Sequence, residues 1–240
     1  YIYIFDGCFS LENGLCLTFK TYLSTLFFCF FTWAITLILG FSVAYFLAFY
    51  VKSTPIQVAL FLVCTIPFWT SNVIRMVSWI PLLGRNGLVN DFLLSIGVIQ
   101  QPLEWLLYSS FSVILALVHL YTLFMIVPIF NSMLRIDKEI IEAAFDSGAS
   151  QLQIISNIVI PLCKPGIIIG SIFVVTVVMG DFLTIGIMGG QQLASVGKII
   201  NTEMNYLQLP GAAANSVILL IITILVVVIM TKVIDIRKEL

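Results

Sequence analysis

Asp181 stands inside the run VVMGDFLTIG, and a carboxylate among so many apolar neighbours needs a partner or a polar cavity. Arg75 poses the same problem within PFWTSNVIRMVSWIPLL, and His119 poses it within LALVHLYTL. A buried carboxylate attracts cations, and the faces of Trp69 and Trp79 can hold a cationic group by cation–π attraction. Asp181, Trp69, Trp79 and Arg75 are therefore candidates for lining the route of a charged solute. Each also has a plainer reading. Asp181 can pair with Arg75 or cap a helix near the outer surface, and tryptophans near span ends commonly anchor at the membrane interface. Arg75 repels a cation, so it suits the orienting of carboxylates or the bonding of carbonyls freed by Pro81. His119 can relay protons, but a lone histidine among Leu, Val and Tyr is as a rule a hydrogen-bonded packing residue.

Enzymatic constellations are weak. SVGK (195–198) lacks the first glycine of a phosphate loop, and Ile199 stands where that loop needs a hydroxyl. There is no H-E-x-x-H, no G-x-S-x-G and no paired-carboxylate arrangement, so the chain is not expected to hydrolyse ATP by itself. The five cysteines form no C-x-x-C pair and no zinc pattern with the single histidine. Cys29 and Cys64 lie in apolar runs as small hydrophobes, and Cys8 and Cys16 can pair if their segment faces an oxidising side.

The elements that must position these residues are membrane helices. Of 240 residues 60% are hydrophobic and only 10% charged, too little polar surface for a soluble domain of this length. A net charge of −1 argues against a nucleic-acid partner, and no polybasic run suggests attachment to the membrane surface alone. Five stretches satisfy the roughly 20 apolar residues that a span needs. They are Tyr22 to Tyr50, Pro55 to Leu83, Trp105 to Leu134, Pro165 to Gly189 (containing Asp181) and Ala212 to Thr231. Each is expected to be helical, because open strands leave backbone groups unpaired in lipid. Connections on one side carry Lys52, Arg135, Lys138, Lys164, Lys232, Arg237 and Lys238, against Lys20, Arg85 and Lys198 on the other. The richer side is the cytoplasmic one, which puts residues 1–20 outside and the C-terminus inside. Arg85, Asn86 and Gly87 then form an external turn suited to contacting a protein, and Glu104 and Glu203 lie in external connections where solvation is the default.

EIIEAAFDSGASQLQIISNIVIPLCKPG (139–166) interrupts this apolar pattern on the cytoplasmic side. Asp137 is placed to cap a first short helix, whose apolar stripe is Ile140, Ile141, Ala144 and Phe145. Gly148 falls where a left-handed cap ends that helix. Ser150 and Gln153 match the capping box of a second helix, which Pro161 is expected to end before Pro165 opens the next span. The segment reads equally as a helix lying on the membrane surface and as a docking element for a soluble partner, the latter favoured by the small residues Ala143, Ala144, Gly148 and Ala149.

Glu142-Ala143-Ala144, Gly148, Ile158 and Ile160-Pro161 match E-A-A-x3-G-x9-I-x-L-P with one departure, Ile160 for Leu. This pattern resembles the cytoplasmic signature of type I ABC importer permeases, the inner-membrane components of binding-protein-dependent transport systems. PFWTSNVIRMVSWIPLLGRNGLVN (67–90), MGDFLTIGIMGG (179–190) and LPGAAANS (209–216) further resemble the spermidine/putrescine branch.

The resemblance implies an all-α integral membrane fold with a cytoplasmic coupling helix. The five helices seen would be preceded by a sixth, leaving 1–21 as an external segment and 22–240 as the transmembrane domain, with the coupling loop at 135–164. It implies a multi-pass protein of the bacterial inner membrane that imports polyamines by alternating access. Glu142, Ala143, Ala144, Gly148, Ile158 and Pro161 would couple to two ABC ATPase subunits, which use the ATP and Mg. This chain itself would bind no cofactor or metal. A second homologous permease chain and an external substrate-binding protein would complete the assembly. The alternatives are a type I permease for iron, sulfate or a sugar, and a secondary transporter.

Overall fold

The computed structural model describes residues 17–190 and 192–233, so the Cys8–Cys16 pairing and most of the external segment 1–21 lie outside the described residues. The order is α1 (Leu17–Tyr45) with a π turn at Phe46–Tyr50, then α2 (Thr54–Thr65) with a 3₁₀ turn at Ile66–Trp69. The short helices α3 (Asn72–Val77), α4 (Ile80–Leu83) and α5 (Leu88–Ser95) follow, and a 3₁₀ turn at Glu104–Leu106 leads into α6 (Ser110–Met133). Next come α7 (Lys138–Asp146), α8 (Gln151–Ile154), a π turn at Ile155–Val159 and α9 (Ile160–Gly180). The chain continues through α10 (Leu183–Met188), α11 (Val196–Asn205) and α12 (Leu209–Val233). Thr18–Tyr50, Glu104–Met133, Gln151–Gly180 and Leu209–Lys232 are each long and apolar enough to cross a membrane.

Two expected spans are corrected. Pro55 to Leu83 is not one helix: it ends at Trp69 and restarts at Asn72. Pro67 and Pro81 account for the punctuation, since each lacks an N–H and falls in a first turn or a 3₁₀ turn, where that loss is harmless. The fourth span begins earlier than Pro165 and stops before Asp181. Pro161 does not end the second loop helix and Pro165 does not open a new one, because α8, the π turn and α9 run on as one helix from Gln151 to Gly180. A π turn just before Pro161 widens the backbone where the proline ring would otherwise clash with the preceding turn. The last span starts three residues before Ala212, with Pro210 in its first turn.

By internal contacts the chain divides into two units, and α1, α6, α9 and α12 contribute residues to both. One takes the described residues up to Thr32, with Thr70–Leu120 and Val175–Leu225. In it α3 packs on α10 and α4 on α5. Asn90, fully buried, donates to the Gly84 and Leu103 carbonyls at 3.0 and 3.2 Å and accepts from the Leu103 N–H at 2.8 Å. Such a side chain does the work of a missing sheet or helix partner for an irregular connection.

The other unit takes Trp33–Trp69, Tyr121–Val174 and the described residues from Val226. Its helices meet across small residues. A Cβ on Gly40 would lie 2.8 Å from Met125 Cγ, and one on Gly166 would collide with the Pro128 carbonyl and Ser132 Oγ. Apolar burial gives little drive between helices in lipid, so close backbone approach and interhelical hydrogen bonds carry the association. Trp33 Nε1 donates to Ser171 Oγ at 2.8 Å, and Phe61 stacks on Phe130 at 5.0 Å.

Candidate functional site

The cytoplasmic loop builds α7 from local signals. Asp137 Oδ1 accepts from the Glu139 N–H at 3.2 Å and so caps its start. At its end Gly148 adopts φ +81°, its N–H donates to the Phe145 carbonyl at 2.9 Å, and the Ala149 N–H donates to the Ala144 carbonyl at 3.0 Å. This pair of bonds is a Schellman motif, which needs a left-handed residue at the glycine position. Ser150 and Gln153 then form a complete capping box on α8. Four residues thus link α7 to α8, with capping bonds at the end of one and the start of the other.

No residue of α7 is buried. Ile140 and Phe145 are about half exposed, and Leu152 on α8 is 79% exposed. Beneath α7 a groove of about 290 Å³ is lined by Tyr45, Phe49, Tyr50, Lys138, Ile141, Glu142, Phe145 and Gln151. Gln151 Nε2 donates to Tyr50 Oη at 3.2 Å, fastening the start of α8 to the end of α1. Glu142 therefore looks into a cleft between the loop and α1. Ala143 and Ala144 lie on α7, while Ile158 and Pro161 belong to the π turn and the start of α9. The loop is thus tied to the end of α1 by the Gln151–Tyr50 bond and runs on directly into α9.

Asp181 stands just past the end of α9 rather than inside a span. Its Oδ1 accepts from the Thr184 N–H at 2.8 Å and its Oδ2 from the Thr184 hydroxyl at 2.6 Å, so it caps the first turn of α10. Arg75 lies on α3, which packs on α10, and Asp181 precedes the start of α10 by two residues. Arg75 is nearly buried, and its Nη2 donates to Asn72 Oδ1. Trp79 is half-buried between α3 and α4, and its indole N–H donates to His119 Nδ1 at 3.2 Å. His119 is hydrogen-bonded but exposed, not packed in a core. Trp69 is 85% exposed at the end of its 3₁₀ turn and belongs to the other unit.

Several polar residues around the outer connections were not singled out from the sequence as a group. Tyr22 Oη reaches Asn215 Oδ1 at 3.4 Å, and Asn215 Nδ2 donates to the Glu203 carboxylate at 3.1 and 3.3 Å. Thr25 Oγ1 accepts from the Val196 N–H at 3.0 Å. Lys198 Nζ donates to the Gly190 and Leu193 carbonyls at 2.6 and 3.0 Å, and burial pushes its ammonium below the usual lysine range. SVGK is thus a helix start, with Ser195 Oγ capping α11 by accepting from the Lys198 N–H. The signal legible in the sequence is a Ser at a helix-opening position, three residues before Lys198. Glu104, expected to be simply solvated, pairs with Arg85 at 3.2 Å, although both side chains are largely exposed and the pair contributes little.

Several apolar spans, a capped helix pair exposed on the positive side and polar groups collected at helix breaks are the features of a multi-pass membrane protein. The family model for the binding-protein-dependent transport system inner membrane component matches residues 15–239, and the chain belongs to that family. It is accordingly an inner-membrane protein. It is 36% identical over 187 residues to the spermidine/putrescine transport system permease protein PotB of Escherichia coli, covering 78% of this chain and 67% of that one. PotB of Haemophilus influenzae is 36% identical over 144 residues, covering 60% of this chain and 50% of that one. The bacterial alginate ABC transporter, solved with an alginate-bound periplasmic protein, has the same fold at a TM-score of 0.77 and 16% identity, covering 95% of this chain and 84% of the other.

Proposed function

We propose that this chain is the permease subunit of an ATP-driven importer whose cargo is a polyamine such as spermidine or putrescine. The observation that carries the cargo is the 36% identity to spermidine/putrescine permeases across most of the chain. The exposed, locally capped α7, with Glu142 facing a groove against α1, supports docking of an ABC ATPase on the cytoplasmic side. Two such ATPases close on ATP, α7 carries their movement to α1 and α9, and the helices open outward. An external binding protein delivers the polyamine, and hydrolysis restores the inward-open state. A second, homologous permease chain completes the pathway.

Asp181, Arg75 and Trp79 are the pathway residues on touching or adjoining elements, and Trp69 is a further aromatic surface. Asp181 offers the negative charge a polycation needs, while its bonds to Thr184 hold it in place. The test is reconstitution of the complex in proteoliposomes with its binding protein. Spermidine should stimulate ATP hydrolysis and accumulate inside. Stimulation by iron, sulfate or a sugar but not by polyamines would overturn the cargo, and uptake by this chain without any ATPase would overturn the importer.

A further inference from the structure

Trp79 and His119 come from different elements, the α3–α4 link and the middle of α6, and their rings meet edge to face with centroids 5.6 Å apart. The indole N–H donates to His119 Nδ1 at 3.2 Å. A nitrogen that accepts carries no proton, so this contact places the imidazole proton on Nε2 and describes a neutral ring. His119 is exposed on an apolar helix, and ionisable side chains on membrane helices face a bundle interior or a water-filled cavity rather than lipid. The indole's only polar atom is engaged at the ring edge, and half-buried Trp79 keeps part of its ring accessible.

We propose that His119 is a positioning residue for polyamine transport: by accepting the Trp79 indole N–H it sets the Trp79 ring as a cation–π platform for the ammonium groups of the cargo. The inference rests on the polyamine reading. It assigns His119 no contact with the cargo, because the free Nε2–H is a donor and an ammonium offers only donors. A cation–π contact with a single ring face is a weak hold. Weak, sequential holding is what a transport route requires, since a tight site would trap the solute.

The test uses the whole reconstituted complex and measures the KM and maximal rate of spermidine uptake. His119→Leu removes the acceptor, and we expect KM to rise about 5-fold at little change in maximal rate. His119→Gln, whose side-chain carbonyl can accept the same N–H, should return KM to within about 2-fold of the original. Trp79→Phe keeps a ring face but loses the donor. It should raise KM as His119→Leu does, and the double substitution should be no worse than either single one, because both remove the same bond. An unchanged KM in His119→Leu, or a rise that Gln does not correct, would overturn the inference while leaving polyamine import standing. Should His119→Leu fail to assemble, Trp79→Phe decides alone, and an unchanged KM there overturns it. A wild-type complex that takes up no polyamine would instead remove the cargo assignment and this inference together.

Discussion

The loop at 137–161 and the polar region around 181–215 solve the same problem in opposite ways. Both break an apolar chain, and both must satisfy helix ends away from a regular ladder. In the cytoplasmic loop the capping partners are two to five residues apart: Asp137 with Glu139, Gly148 with Phe145, Ala149 with Ala144, Ser150 with Gln153. Local bonds of this kind also occur around 181–215, at Asp181 and Ser195. There, however, the decisive partners are distant, as with Thr25 and Val196, Tyr22 and Asn215, and Ser112 and Met188. A locally determined loop keeps its shape while helices around it move, which suits an element that transmits force. A region held by long-range partners changes when those helices shift, which suits an element that must open.

Substitutions at four positions break or sharpen this contrast. The largest effect is expected at Gly148, where an added Cβ would meet nothing within 4 Å, so only the backbone angle is at stake. Gly148→Val forces a β-branched residue into the left-handed region at a cost of about 2 kcal/mol and should lower ATP-driven uptake at least ~10-fold. Gly148→Asn, which tolerates that angle, should keep most activity. Equal loss in both variants, measured as uptake per ATP hydrolysed, would show that space and not conformation matters there.

Gly166 is the opposite case, with an ordinary backbone and no room. Gly166→Ala should destabilise the complex by about 1–3 kcal/mol through overpacking against α6, seen as a lower Tm. An unchanged Tm would mean that α6 and α9 separate easily.

Asp181 combines both kinds of dependence. Asp181→Asn retains an acceptor for the Thr184 N–H but loses the charge, so Tm should hold while the spermidine concentration for half-maximal ATPase stimulation rises a few-fold, roughly the worth of one weak charge contact. Asp181→Ala should additionally cost about 1 kcal/mol of stability through the lost cap. A normal spermidine response in the Asn variant would leave Asp181 a cap only.

The smallest change is expected for Glu203→Gln, which keeps an acceptor for Asn215 Nδ2 at the junction of α11 and α12. Its effect on Tm should correspond to no more than about 1 kcal/mol, with spermidine KM unchanged. A large KM effect would move Glu203 from structure into the pathway.

The amino-acid pattern by itself determined the all-helical membrane class, three of the span positions to within a few residues, and the caps of the cytoplasmic loop. Those features depend on composition, on runs of apolar residues and on partners a few positions apart, all of which can be read along a line. The prolines misled, because whether Pro161 ends a helix depends on the π turn before it, and a π turn has no composition of its own. Of the settings open to Asp181, inside a span or capping a helix, the structure takes the cap, and the break at Gly180 that decides it is visible only once the helix is built. Tertiary structure alone decided that α3 lies on α10, that Trp79 finds His119, and that Glu203, Asn215 and Tyr22 form one network. The last two join side chains 12 to 193 positions apart, and only the packing of helices sets such contacts.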